Sequence, residues 1–249
     1  MIKSTFQVEN GLYNEGYEII IGIDEAGRGP LAGPVVACAA ALKNLPHPPT
    51  PSPAGRGRGE GQFDLVRDSK TLSEKQREKL YDFILDNFHV GIGICDHETV
   101  DRINILEASF LAMKKAVGDL TKKIKNFPHP PTPAPSGRGW GEGRCIILVD
   151  GNKKIPNLSQ EQKAIVNGDK YVKSISAASI IAKVTRDRIM LEMHEKYPEY
   201  QFDRHKGYGT KLHMDSLQKY GPCEIHRKSF RPLRDIASLE ATRKKVLPA

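Results

Sequence analysis

The sequence has no cysteines paired at metal-ligand or redox spacing. Cys38, Cys95, Cys145 and Cys223 are scattered along the chain, which excludes a C-x-x-C motif and argues against a disulfide framework. Three of them lie in or beside apolar runs, so all four are read as reduced thiols, mostly of the core. No apolar stretch approaches the roughly 18 residues that a membrane span needs, and no membrane partner is expected. The first residues, MIKSTFQVENGLYNEGYE, lack the uninterrupted apolar segment of a secretory signal. A soluble, cytoplasmic protein is expected. Hydrophobic residues are also few, at 39% of 249.

Part of that polarity sits in two near-identical segments. Residues 46–61 read PHPPTPSPAGRGRGEG and residues 128–143 read PHPPTPAPSGRGWGEG. They differ only at Ser52/Ala134, Ala54/Ser136 and Arg58/Trp140. Proline, glycine and almost no core-forming side chains cannot bury enough surface to offset the entropy of ordering. Both are read as exposed loops inserted into a compact domain. The alternative is that their Gly-Arg pattern touches nucleic acid. The chain carries 38 Lys+Arg against 30 Asp+Glu, a formal charge of +8. A basic surface suits a polyanionic partner, since neutralising phosphates is the main source of non-specific nucleic-acid affinity.

Outside the repeats the pattern alternates between strand and helix. Residues 17–24 (YEIIIGID), 34–42 (PVVACAAAL), 89–95 (HVGIGIC) and 145–150 (CIILVD) are β-rich apolar runs, and 171–174 is read as a fifth strand. Ser73-Glu74-Lys75-Gln76 is a capping-box signature opening a helix to about 88. Helical spacing continues over about 98–117 and 177–195. The expected fold class is α/β, a mixed sheet with helices over it.

Acids end two of these strands. Asp24 and Glu25 follow the first, and adjacent carboxylates gain nothing from burial unless a cation is shared. A solvated strand end would look the same. Four glycines, Gly22, Gly27, Gly29 and Gly33, surround Arg28, and such a loop lets backbone amides approach a ligand. Asp150 ends the fourth strand, at a usual place for a ligand site, although a turn-forming Asp is equally consistent. Ile180, Val184, Asp187 and Leu191 share one helix face. Asp187 therefore points inward and needs a partner, either a metal site or a structural Arg. Its neighbours Arg186 and Arg188 fall on other faces, toward solvent or phosphate. His205, His213 and His226 are read as solvated or phosphate-facing rather than as metal ligands. Separated acids on a basic chain fit hydrolysis of phosphodiesters with Mg²⁺ or Mn²⁺.

A series of ordered blocks carries a more specific signal. Gly22 to Val36 reads GIDEAGRGPLAGPVV, followed by Asp68-Ser69-Lys70 with Leu72-Ser73, and Val149-Asp150-Gly151. Gly168-Asp169 precedes SAASIIAKVTRDR from Ser176 to Arg188; then come HKGYGT from His205 with His213, and HRKSF from His226. Together they resemble the ribonuclease HII family. The resemblance implies a ribonuclease-H-like mixed sheet flanked by helices over 17–195, with a C-terminal helical, substrate-binding extension over 196–249. It implies a divalent-metal-dependent endoribonuclease of ribonucleotide excision that cuts RNA in RNA–DNA hybrids. It would also incise 5′ of single ribonucleotides in duplex DNA, leaving 3′-hydroxyl and 5′-phosphate ends. Asp24, Glu25, Asp150 and Asp187 would be the catalytic, metal-holding carboxylates. Gly27, Arg28 and Gly29 would read the 2′-hydroxyl, Tyr208 would stack under the next deoxyribose, and Lys70 with Ser69 would hold a phosphate. The implied enzyme is a monomer. The rivals are a related-fold DNA nuclease such as a junction resolvase, or a nucleic-acid-binding protein without catalysis.

Overall fold

A computed structural model describes residues 4–43, 60–125, 127 and 144–235. The repeat segment 128–143, nearly all of 46–61 and the last residues of the expected extension lie outside them. In chain order the elements are α1 (Gln7–Asn14), β1 (Tyr17–Ala26), β2 (Val35–Leu42), α2 (Glu60–Phe63), α3 (Glu74–Asn87) and β3 (Phe88–Cys95). Then follow α4 (His97–Lys123), β4 (Arg144–Asp150), β5 (Glu161–Ile165), α5 (Gly168–Tyr171), α6 (Lys173–Lys196), α7 (Phe202–His205) and α8 (Lys211–Tyr220).

The sheet runs β3-β2-β1-β4-β5. β1, β2 and β3 pair antiparallel, while β1–β4 and β4–β5 are parallel. Its central strands read as continuous apolar runs because both faces are covered. Ile21, Ile23, Ala37, Ala39, Ile147 and Val149 pack under α4. Cys38 and Ala40 face α6 and α3 on the other side, with Ala177, Ile181 and Leu80. The small residues alternating along β3 have a packing reason: a Cβ on Gly91 or Gly93 would run into the backbone of α4.

Four of the five expected strands and all three expected helices form. Ser73 and Gln76 complete both halves of the capping box of α3. The fifth strand is displaced from where the sequence placed it. Residues 171–174 span the junction of α5 and α6, where Val172 is fully buried and makes only an isolated bridge to Thr5. The fifth strand is β5, EQKAI, a polar edge strand without a buried face. None of the described helices is long and apolar enough to cross a membrane. All four cysteines are free, Cys38 and Cys95 in the core.

Candidate active site

β1 and β4 lie side by side and parallel, so the acids at their ends meet. Ile23 pairs with Val149, which sets Asp24 beside Asp150. The short helix α5 begins where β5 returns to this edge and brings Asp169 to the same place. Asp24, Asp150 and Asp169 each have a carboxylate oxygen within 4.8 Å of the others. The amide of Asp169 also donates to Asp150 Oδ1 at 3.4 Å. Asp24 and Asp169 are buried, and Asp24 Oδ1 accepts the Glu25 amide at 2.7 Å.

This packing is electrostatically unfavourable for the protein alone. Burial, then Glu25, then Asp150 hold the Asp24 carboxyl well above its ordinary range. Burial and the Asp169 charge raise Asp150, and burial raises Glu25 although Arg28 opposes it from 3.3 Å. Lys70 Nζ reaches Asp169 at 3.1 Å, but among the described residues no ion pair compensates Asp24 or Asp150. A converging set of carboxylate oxygens whose charge Lys70 and Arg28 offset only in part fits a hard divalent cation. Glu25 and Asp150 also line a cleft with Arg28, Asn152 and Lys153, floored by Leu106, Phe110 and Met113.

Asp187 does not join this group. It is buried, as the helical spacing requires, but its Oδ1 takes a hydrogen bond from Lys183 at 2.6 Å and its Oδ2 lies 3.8 Å from Arg77. The structural-partner alternative describes its surroundings. Leu191 on the same face is exposed. In the sequence Asp169 stands out only through the Gly168-Asp169 block. A four-residue helix offers no periodicity from which an inward acid could be read.

The glycine loop lies between β1 and β2. Gly27 has φ +99°, and a Cβ there would strike the Arg186 side chain and lie 2.6 Å from the Pro34 carbonyl. A Cβ on Gly29 would touch only the Tyr208 ring, at 3.7 Å. Arg28 is exposed, and Tyr208, whose ring faces Gly29, is 40% exposed. Ser69 is buried and shares a hydrogen bond with Ser179 at 2.9 Å, so its neighbour Lys70 carries the free reach of that turn.

Two arginines anchor the loop from beneath, contrary to expectation for one of them. Arg186 is fully buried and donates to the carbonyls of Pro34 and Ala32 and to that of Lys206, at 3.0–3.1 Å. Arg227, also fully buried, donates to the carbonyls of Gly27, Arg28, Pro30 and Gly33 at 2.7–3.2 Å. Arg188 alone is exposed, paired with Glu78. The three histidines are likewise buried, not solvated. A carbonyl-rich turn shielded from water needs such donors, a demand that helical periodicity does not reveal.

The family model described as Ribonuclease HII matches residues 21–127 and 144–232. Ribonuclease HII of Fusobacterium nucleatum subsp. nucleatum is 46% identical over 235 residues, covering 94% of each chain. That of Caldicellulosiruptor bescii is 46% identical over 238 residues, covering 95% of this chain and 97% of the relative. The crystal structure of ribonuclease H2 from Pyrococcus horikoshii OT3 superposes with a TM-score of 0.61 at 28% identity, over 91% of this chain and 99% of the other. With the carboxylate cluster and the glycine loop, these matches show that the chain belongs to the ribonuclease HII family of metal-dependent endoribonucleases.

Proposed function

We propose that the protein incises duplex DNA 5′ of single ribonucleotides as well as cutting RNA–DNA hybrids, leaving 3′-hydroxyl and 5′-phosphate ends. The observation that carries this reading is the carboxylate cluster, in which no ion pair offsets Asp24 or Asp150 among the described residues, beside a glycine loop whose Gly29 faces Tyr208. Asp24, Glu25, Asp150 and Asp169 would hold Mg²⁺ or Mn²⁺. Bound divalent cations supply an acidified water and charge stabilisation at a phosphodiester. Asp187 instead holds Lys183 and Arg77 beside the Ser69–Lys70 turn, where both would add positive potential for the nucleic-acid backbone.

The remaining residues select and orient. Gly27, Arg28 and Gly29 present main-chain groups to the 2′-hydroxyl, the group that separates RNA from DNA at one site. The exposed Tyr208 ring offers a flat apolar face to the following deoxyribose. Lys70 reaches across the carboxylates and would hold a phosphate in place of Asp169 when substrate binds, with Ser69 fixing the turn. Residues 17–195 would carry the catalytic groups. Residues 196–249 would complete the substrate surface, a role supported by the packing of Tyr200, Phe202, Leu217 and Ile225 against Leu31 and Ala32. The enzyme would act as a cytoplasmic monomer.

The test is cleavage of a duplex containing one ribonucleotide, with Mg²⁺ and with Mn²⁺, against an all-DNA four-way junction. Metal-dependent incision of the first substrate only is expected. Asp24→Asn and Asp169→Asn should each lose activity by about 100-fold or more. Full activity in either variant would remove that residue from the mechanism, and cleavage of the junction would favour the resolvase reading.

A further inference from the structure

Three buried imidazoles lie behind the Tyr208 turn. His213 Nδ1 lies 3.0 Å from the Tyr208 carbonyl, and its Nε2 lies 3.0 Å from Nε2 of His226. His226 Nδ1 in turn receives the amide of Cys223 at 2.9 Å, and also lies 3.1 Å from the Cys223 Sγ and 3.2 Å from the Cys223 carbonyl. These partners assign the protons in sequence. The Tyr208 carbonyl can only accept, so His213 carries its hydrogen on Nδ1 and accepts on Nε2. His226 must then donate from Nε2, which leaves its Nδ1 free to accept from Cys223. Every link from the Tyr208 carbonyl through His226 to the Cys223 amide then has one donor and one acceptor, the amide being a closer partner of Nδ1 than the Cys223 carbonyl is, and both rings are neutral. Burial pushes each of them down to about 4, which keeps that state through the neutral range.

The neighbours close the cluster. His205 stacks on His213 with centroids 4.4 Å apart. Its Nε2 donates to the Tyr200 carbonyl at 2.8 Å, and its Nδ1 accepts the Gly207 amide at 3.2 Å. Phe202 packs edge-on against both His205 and His213.

The next residue makes the chain more than packing. Arg227 holds four carbonyls of the glycine loop. His226 itself bridges to Ala32 in that loop, and the Leu31 amide donates to Gly207 at 2.8 Å. One dipeptide therefore grips both recognition elements: Arg227 holds the loop, and His226 holds Tyr208 through His213. Apolar side chains would fill the same space without burying four ring nitrogens, a costly choice unless each is bonded.

We propose that His226 and His213 are positioning residues that act as a directional hydrogen-bond relay, fixing the Tyr208 turn against the glycine loop for recognition of the ribonucleotide–deoxyribonucleotide junction. The proposal rests on the reading of Tyr208 as the ring under the deoxyribose. A relay of this kind matters most where the junction is the only landmark, a single ribonucleotide in DNA. It matters less on a continuous RNA–DNA hybrid.

The experiment compares kcat/KM on a one-ribonucleotide duplex with that on a hybrid, together with melting temperature and imidazole ¹⁵N shifts. Wild-type shifts should show His213 protonated on Nδ1 and His226 on Nε2. His226→Leu should lower the duplex-to-hybrid ratio by about 10-fold, and His226→Gln, whose amide can donate from the place of Nε2, should restore it to within about 2-fold. His213→Asn keeps a donor for the Tyr208 carbonyl and should retain more of the ratio than His213→Gln. This pair decides the matter if His226→Leu does not fold. The double variant Tyr208→Ala/His226→Leu should fall no further than Tyr208→Ala alone.

Opposite tautomers in the wild type would overturn the relay. So would an unchanged ratio, an equal loss on both substrates, or additive effects in the double variant. An unchanged ratio in Tyr208→Ala with the expected tautomers would instead overturn the reading of Tyr208, and with it the recognition role of an intact relay.

Discussion

A methyl group on Gly29 would meet only the Tyr208 ring, at an ordinary 3.7 Å, whereas one on Gly27 would be driven into Arg186 and the Pro34 carbonyl from a backbone at φ +99°. The two alanine variants should therefore fail in different ways. Gly27→Ala should cost about 2–4 kcal/mol, combining a left-handed alanine with overpacking. Gly29→Ala should fold within about 1 kcal/mol of wild type but, if the proposed recognition role holds, lose cleavage of the one-ribonucleotide duplex, because the methyl would then occupy the space a sugar enters. Urea unfolding and turnover measured on both variants check this, and a Gly29→Ala enzyme with full turnover would count against the recognition role. Asp24 offers a second contrast. The folded protein keeps the Asp24 proton to a higher pH than the unfolded chain does. Its ionisation cost is therefore absent at acid pH and appears as pH rises through the raised value. In EDTA near pH 8, Asp24→Asn should melt a few degrees above wild type while being inactive, and the gap should close on acidification. Asp24, Glu25 and Asp150 were legible in the sequence because apolar strands deliver them to one edge. Asp187 was legible as a buried acid, but its partners are Lys183 one turn back and Arg77 on another helix. Side-chain spacing cannot distinguish that from a metal.

β5 and the glycine loop show where sequence patterns lose their force at the scale of elements. β1, β2, β3 and β4 announce themselves because burial on both faces demands apolar runs. β5 is an edge strand whose residues are all exposed or half-buried, so hydrophobicity carries no trace of it. Within residues 171–174 only Val172 is aliphatic, and it is buried where α6 begins. The loop between β1 and β2 depends on Arg186 and Arg227, whose charges suggest a surface and whose positions are interior. Arg227 serves four separated carbonyls with one planar fork, which a lysine ammonium cannot reproduce. Arg227→Lys should therefore cost about 2–4 kcal/mol by leaving buried carbonyls unpaired. It should also reduce kcat/KM on the one-ribonucleotide duplex well beyond the loss expected from stability alone. Equal stability and turnover in this variant would show that the loop holds its own shape.

This ribonuclease HII family member carries two near-identical sixteen-residue segments, 46–61 inside the family match and 128–143 in its gap. The family match runs from 21 to 127 and resumes at 144, so it passes over 128–143 altogether. The motif blocks and the described core fall outside both repeats, except that Glu60 and Gly61 begin α2. That short helix sets Phe63 among Phe6, Phe83 and Phe88, with ring centroids 4.9–6.2 Å apart. A deletion must therefore stop at residue 59. Residue 127 also packs against the core, and β4 starts at Arg144, so the second deletion is bounded at 128 and 143. By loop-closure scaling, shortening a connection from about sixteen residues to four or five changes its closure entropy by only about 1 kcal/mol, and a short glycine–serine link would join the chain at each site. If the repeats are passengers, a chain lacking 46–59 and 128–143 should melt within a few degrees of the parent and cleave both substrates within about 3-fold of it. If their Gly-Arg triplets contribute to binding, KM should rise selectively at higher salt while kcat and melting temperature hold, since the lost contacts are with phosphate. Complete loss of activity with an unchanged melting temperature would instead place the repeats, which flank the Lys70 turn and the Asp150 strand in sequence, within the catalytic machinery.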